Sequence, residues 1–210
     1  ATGATERPIA FANNDRPGIM LAGAVATYIR RFGVTPGQKI VAFGADQAQM
    51  QRLKALADHS RVNLRVLTEA EQVVDTEGRK ALKSVTLNTG EKIVCDTLAV
   101  SGGWSPNVHL TSHHRSKPVW NDTIQAFVPG TSLPAGQIQA GAAKGSFDLG
   151  QCLADGQDAA QAAAEALGKS ATSATLPIPA AETTKAKAIW TVSGGKGRAW
   201  VDLQNDVTTK

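Results

Sequence analysis

The segment Cys95–Asn107, CDTLAVSGGWSPN, carries an acid at Asp96, an apolar run at Thr97–Val100, then Gly102, Gly103 and Trp104 before a Pro106-Asn107 stop. A glycine directly after an apolar strand lets another backbone or a flat ligand approach where a Cβ would collide. A second phrase of this kind, Ala1-Thr2-Gly3-Ala4, stands about one hundred residues earlier. Either phrase alone reads as a tight turn; the pair, with a strand-helix-strand pattern between them, reads as two crossings between substructures. A third candidate is VAFGADQAQ at 41–49, where a dinucleotide site would want G-x-G-x-x-G at the start of a helix. Only Gly44 is present, so this turn reads better as a plain strand-to-helix connection.

The elements that must position these phrases follow from hydrophobic periodicity. Residues Pro17–Phe32, with Met20, Leu21, Val25, Tyr28 and Ile29 at helical spacing and Gly33 as the stop, predict a helix. KIVAF at 39–43 predicts a short buried strand, Gln47–Ala57 a helix and Asn63–Leu67 a second strand. Together these make a βαβ unit with parallel strands. The alternation around Asn88-Thr89-Gly90 predicts a hairpin that leads into a strand at Thr97–Val100. SKPVWND, QAFVPG and GQIQAG predict further short strands or turns, and NNDRPG at 13–18 a turn whose polar groups also permit a contact with a flavin or partner subunit. Phe147–Leu167 predicts an Ala-rich helix with Leu149, Leu153, Ala160, Ala164 and Leu167 on its apolar side. The Ser/Thr/Ala/Pro-rich stretch 169–187 reads as a linker. Ala199–Leu203 has a strand pattern near the last residue, and a strand-ending Thr-Gly turn stands at the first, so both ends are expected to be cuts through a longer protein.

Composition removes several function classes. The chain has 210 residues, 42% of them hydrophobic and 19% charged, as in ordinary water-soluble folds. Neither a secretory signal nor an apolar run of membrane-spanning length is visible, and a reduced, cytoplasmic chain is the expectation. The net charge of +4 comes from scattered Lys and Arg, and aromatics make up only 5%, which argues against nucleic acid. Cys95 and Cys152 have no metal-type spacing, and Cys152 reads as buried filler. His109, His113 and His114 lie in a polar loop without the further ligands a metal site needs, so no metal is expected.

The two crossing phrases in order resemble the disulfide-reductase-like flavoproteins, in which one dinucleotide-binding domain is interrupted by another. Thr2 and Gly3 match the exit phrase of that superfamily, and Asp96, Gly102, Pro106 and Asn107 match its return phrase. The superfamily next carries a Gly-Asp that holds the flavin ribityl chain, whereas here Gly141 is followed by Ala142. The phrases ATGATERPIAFANNDRPGIMLAGAVATYIRRFGVTPG, CDTLAVSGGWSPNVHL, GAAKGSFDLGQCLADG and GRAWVDLQNDVT resemble, in order along nearly the whole chain, the α-subunit family of heterotetrameric sarcosine oxidases.

That resemblance implies an α/β fold: an incomplete FAD/NAD(P)-binding Rossmann-like core with an inserted, smaller βαβ nucleotide-binding-like domain, followed by a linker. It implies core at 1–38 and 101–168, the insertion at 39–100, the linker at 169–187 and, at 188–210, the start of a folate-binding domain similar to aminomethyltransferases. Members oxidise sarcosine to glycine with formation of hydrogen peroxide. NAD and tetrahydrofolate are implied for the complete subunit, FAD and FMN for the complex, and subunits of β, γ and δ type as partners. Cofactor-binding positions implied here are Thr2, Gly3, Ala4, Gly102, Gly103, Trp104, Gly141, Ala142, Ala143, Gly145, Phe147 and Leu149, with no catalytic residue and no activity expected of these 210 residues alone. A non-catalytic interaction module, or the α subunit of a related opine-, glycine- or amine-oxidising complex, is the alternative.

Overall fold

The structure is a computed structural model that describes residues 2–113, 115–170 and 188–209. His114 and nearly all of the expected linker lie outside the described residues. In chain order the elements are β1 (Ala4–Glu6), β2 (Ile19–Leu21), α1 (Ala22–Phe32), β3 (Lys39–Gly44), α2 (Gln47–His59), β4 (Asn63–Val66), β5 (Val73–Glu77), β6 (Ser84–Leu87) and β7 (Lys92–Val94). Then follow β8 (Thr97–Ser101), β9 (Trp104–Pro106), β10 (Val119–Asn121), β11 (Ala126–Val128), α3 (Leu149–Ala166), β12 (Trp200–Asp202) and β13 (Val207–Thr208). The chain divides into two compact units, Glu6–Gly103 with Thr184–Lys210, and Ala1–Thr5 with Trp104–Thr183.

The first unit is built on a parallel sheet of order β2-β8-β3-β4, a Rossmann-like arrangement. Parallel strands need both faces covered, and their residues alternate between two cores accordingly. Ile40, Ala42 and Ala99 face α1 and α2, packing on Val25, Ile29, Met50 and Leu53. Val41, Phe43, Leu98 and Val100 face the antiparallel layer β5-β6-β7 and pack on Val73, Val85 and Leu87. Ile9, Phe11 and Val192 complete that second core from outside the sheet. Asp96 ties the start of β3 to β8, since its carboxylate accepts the N–H groups of Gln38 (2.9 Å) and Lys39 (3.0 Å).

Two expectations for this unit change. The helix expected from Pro17 begins only at Ala22, because Ile19–Leu21 pair in parallel with Leu98–Val100 as an edge strand. Three apolar residues fit either element, and an available strand edge decides between them. The polar groups of NNDRPG are largely spent internally. Asn14 accepts the Trp200 N–H (2.8 Å) and donates to the Trp200 carbonyl (2.8 Å), so it pairs with β12 as a strand would. Asn13 donates to Asp75 (3.0 Å), and Arg16 to the carbonyls of Gly78 and Thr76.

In the second unit β1 pairs with β9, β10 and β11 form a hairpin, and α3 follows a 3-10 turn at Gly141–Ala143. Of the stretches expected as short strands or turns, Val119–Asn121 and Ala126–Val128 pair as strands, and GQIQAG is entered through a turn in which the Gln137 N–H donates to the Pro134 carbonyl (3.1 Å). The apolar side expected on α3 is not buried: Leu149 is 65% and Leu167 77% exposed, and only Gly150 and Asp155 of the helix are fully covered. Both apolar cores among the described residues belong to the first unit. Among the described residues no helix is long and apolar enough to cross a membrane.

Candidate functional site

The crossing phrases meet in the second unit. The Asn107 amide donates to the Thr2 carbonyl, its Oδ1 accepts from Thr5 Oγ1 (2.8 Å), and its N–H donates to the Gly3 carbonyl (3.0 Å). Gly3 turns at φ 61°, with nothing within 4 Å of where a Cβ would stand. Ala4 and the half-buried Trp104 lie in the paired strands β1 and β9.

In the first unit, the space beside Gly102 is taken by backbone. A Cβ there would stand 2.5 Å from the Ile189 carbonyl and 2.8 Å from that of Pro8. The same segments are hydrogen-bonded across it: Gly102 N–H to the Arg7 carbonyl (2.8 Å), Arg7 N–H to Gly103 (2.9 Å) and Ile189 N–H to Gly102 (3.1 Å). Gly103, at φ 105°, lies against the Arg7 guanidinium, which stacks over the Trp190 ring at 4.2 Å. Burial pulls Arg7 below the usual guanidinium range.

In open α/β sheets ligands bind at the carboxyl ends of the strands, where helix N-termini offer N–H groups. Here those ends are furnished by residues that no motif singles out. Glu6, 7% exposed, accepts the Gly23 N–H (2.9 Å) in the first turn of α1 and the Gln49 amide (2.7 Å) from α2. Ser101, at the end of β8, donates to the other side of that amide (3.1 Å). At the start of α2, Asp46 caps the Gln49 N–H (3.1 Å). Gly44 is a glycine because a Cβ would crowd Met50 and the Ser101 carbonyl, at 2.9 and 3.1 Å. A pyrophosphate approaching either helix start would meet a carboxylate, so the strand ends of this unit do not fit a dinucleotide. No short motif betrays Glu6, because its partners lie 17 and 43 residues away in sequence.

The remaining predicted residues form one turn in the second unit. Gly141, at φ 65°, opens the 3-10 turn, whose start has no side-chain cap and whose Ala142 N–H is directed at the Cys152 sulfur. Asp155 of α3 holds the turn down. Its carboxylate accepts from Ser146 Oγ (2.6 Å), Lys144 Nζ (3.0 Å) and the Gly141 N–H (3.2 Å). Burial raises the Asp155 carboxyl, but these three donors outweigh it and keep it below the ordinary carboxylate range. Gly145, at φ 106°, approaches Val128 and Ile124; Phe147 and Leu149 are exposed; Asp148 caps α3 through the Gln151 N–H (3.0 Å).

Neither cysteine is placed for nucleophilic chemistry. Burial, with the charge of Asp96, pushes the Cys95 thiol up to about 11. Burial also raises Cys152, which is only partly covered and donates to the Ser146 carbonyl (3.0 Å). A maleimide at neutral pH is therefore expected to modify Cys152 slowly and Cys95 only after unfolding. Mass spectrometry of the native chain checks this, and early labelling of Cys95 would contradict its buried position. Among the described residues no three His, Cys, Asp or Glu side chains gather as metal ligands.

No protein-family model matches the chain. Sarcosine oxidase subunit alpha of Rhizobium meliloti (strain 1021) is 36% identical over 240 residues, covering 100% of this chain and 23% of that protein. The same subunit of Corynebacterium sp. (strain P-1) is 36% identical over 246 residues, covering 99% and 25%. The chain is a relative of sarcosine oxidase subunit alpha. It spans about a quarter of the length of these sarcosine oxidase subunits. L-proline dehydrogenase from P. horikoshii superposes with a TM-score of 0.68 at 19% identity, over 82% of this chain and 35% of that one. At that identity the likeness concerns the fold, and it agrees with the Rossmann-like sheet.

Proposed function

We propose that the chain serves as part of the α subunit of a sarcosine oxidase-like flavin oxidoreductase, in which it braces a dinucleotide and its partner subunits rather than performing the oxidation. The observation that carries this reading is homology along the whole chain to subunits of that name. The reaction is oxidative demethylation of sarcosine to glycine with release of hydrogen peroxide. In the complete assembly NAD and tetrahydrofolate belong to the α subunit, FAD and FMN to the complex, and subunits of β, γ and δ type are the partners. Residues 188–210 lead into a folate-binding domain of the full-length subunit.

Within the chain, the Gly141–Phe147 turn is where the neck of NAD lies, against the backbone of Ala142 and Ala143. The carboxylates of Glu6 and Asp46 favour a second role for the first unit, as a packing module that has no nucleotide of its own. Replacing Ala142 with Leu in the full-length subunit tests the first reading. NAD released on denaturation is expected to fall severalfold, while circular dichroism and assembly with the partner subunits stay unchanged. Undiminished NAD would remove the turn from the site, and full-length protein without sarcosine-dependent peroxide formation would remove the reaction.

A further inference from the structure

A concave site of about 510 Å³ lies in the first unit, and none of its lining residues belongs to the strand ends that Glu6 and Asp46 occupy. Its wall is the segment Thr191–Ala199, with Ala12, Thr208 and Thr209 completing it. That segment reads TVSGGKGRA: a glycine-rich loop with two cations and two hydroxyls.

The loop is held in one shape by close packing. A Cβ at Gly195 would stand 2.2 Å from both Ala12 and the Val74 carbonyl, and one at Gly197 2.2 Å from the Asn13 amide. Gly194 turns at φ 116°, which side-chain-bearing residues rarely adopt. Hydrogen bonds pin its C-terminal side: Asn13 N–H donates to the Arg198 carbonyl (2.7 Å), and Thr209 N–H to that of Ala199 (3.0 Å). Such a loop loses little freedom when it binds.

Its charges have no counterpart. Lys196 and Arg198 are exposed, and neither side chain has an ion-pair partner among the described residues. The acid that touches the loop, Asp75, is engaged elsewhere: its carboxylate accepts from Asn13 Nδ2 (3.0 Å), the Thr76 N–H (2.8 Å) and, weakly, the Lys196 N–H (3.4 Å). Cations, hydroxyls and glycine backbone in a concavity of this size are what a small phosphate-bearing anion requires.

We infer that the loop Thr191–Ala199 is a binding site for a small anion of phosphate type, separate from the dinucleotide position proposed above. A free oligophosphate and a nucleotide both carry this charge, and the chemistry at the loop is the same for either. The test is calorimetric titration of the chain with inorganic pyrophosphate and, separately, with AMP at low ionic strength. Saturable binding is expected that weakens with added salt and drops at least tenfold in the double variant Lys196→Ala/Arg198→Ala. The variant Lys54→Ala, which removes a lysine paired with Asp58 on α2, should bind as the parent does. Stronger binding of AMP would identify a nucleotide as the source, and stronger binding of pyrophosphate a free oligophosphate. No saturable heat with either probe, or equal binding by the double variant with its fold intact, would overturn the inference. Because the lesion lies in the loop, an NAD defect in Ala142→Leu and a pyrophosphate defect here can be told apart.

Discussion

Replacing Gly102 with Ala is expected to destabilise the first unit by about 3 kcal/mol, the upper part of the range for overpacking a filled interior. The φ of Gly102 is not in the left-handed region, so the penalty is one of contact and not of backbone strain. The new methyl would stand 2.5 Å from the Ile189 carbonyl and 2.8 Å from the Pro8 carbonyl, both of them backbone atoms that no rotamer change can move. Relief requires parting three hydrogen-bonded segments, and so opens the route by which Ile9, Phe11 and Val192 reach the core. A fall of roughly 10 °C in the melting temperature follows for a unit of this size. Gly156→Ala provides the contrast: it lies inside α3 with nothing within 4 Å of its Cβ position, and is expected to gain about 0.5–1 kcal/mol from helix propensity. Thermal denaturation of both variants decides the matter, and a Gly102→Ala chain as stable as the parent would mean the backbone crossing is looser than described.

The second large effect is expected at Asp155. Removing its carboxylate in Asp155→Ala deprives Ser146, Lys144 and the Gly141 N–H of their acceptor, a loss of about 3 kcal/mol with two of the three donors covered. The second unit has no apolar core among the described residues to compensate, so the loss should appear as local opening of 141–148. Limited proteolysis and amide exchange across that turn measure it. The pH dependence has a defined sign. The folded carboxyl lies below its unfolded value of about 3.9, so its contribution is fully present above that pH. It is lost as pH falls through the depressed folded value. Opening of the turn should therefore rise in acid in the parent chain, whereas Asp155→Ala should be open already at pH 7. Protection of the turn that is equal in the two proteins would show that Asp155 does not hold it.

Local patterns made much of this fold readable. KIVAF forms β3 because a run of apolar residues buried on both faces suits a central parallel strand, and Asn88-Thr89-Gly90 turns the β6-β7 hairpin. Asn107 and Thr2-Gly3, more than one hundred residues apart, were also readable as related, and they are joined by hydrogen bonds. What failed locally was a short segment whose fate depends on a neighbour: Ile19–Leu21 became strand because β8 offered an edge.

The sequence by itself determined the parallel α/β class, the order of its central elements and the kinship with sarcosine oxidase α subunits, since each rests on spacing within short windows or on long matching phrases. Only the tertiary structure decided what stands beside the glycines and carboxylates. Gly102 could have faced a ligand and instead faces the carbonyls of Pro8 and Ile189; Glu6 could have been a surface acid and instead occupies the start of α1; SGGKG became one wall of a basic concavity. The physical reason is the same in each case. A glycine or a carboxylate specifies what can approach it, whereas what does approach is supplied by segments distant in sequence, brought there by core packing.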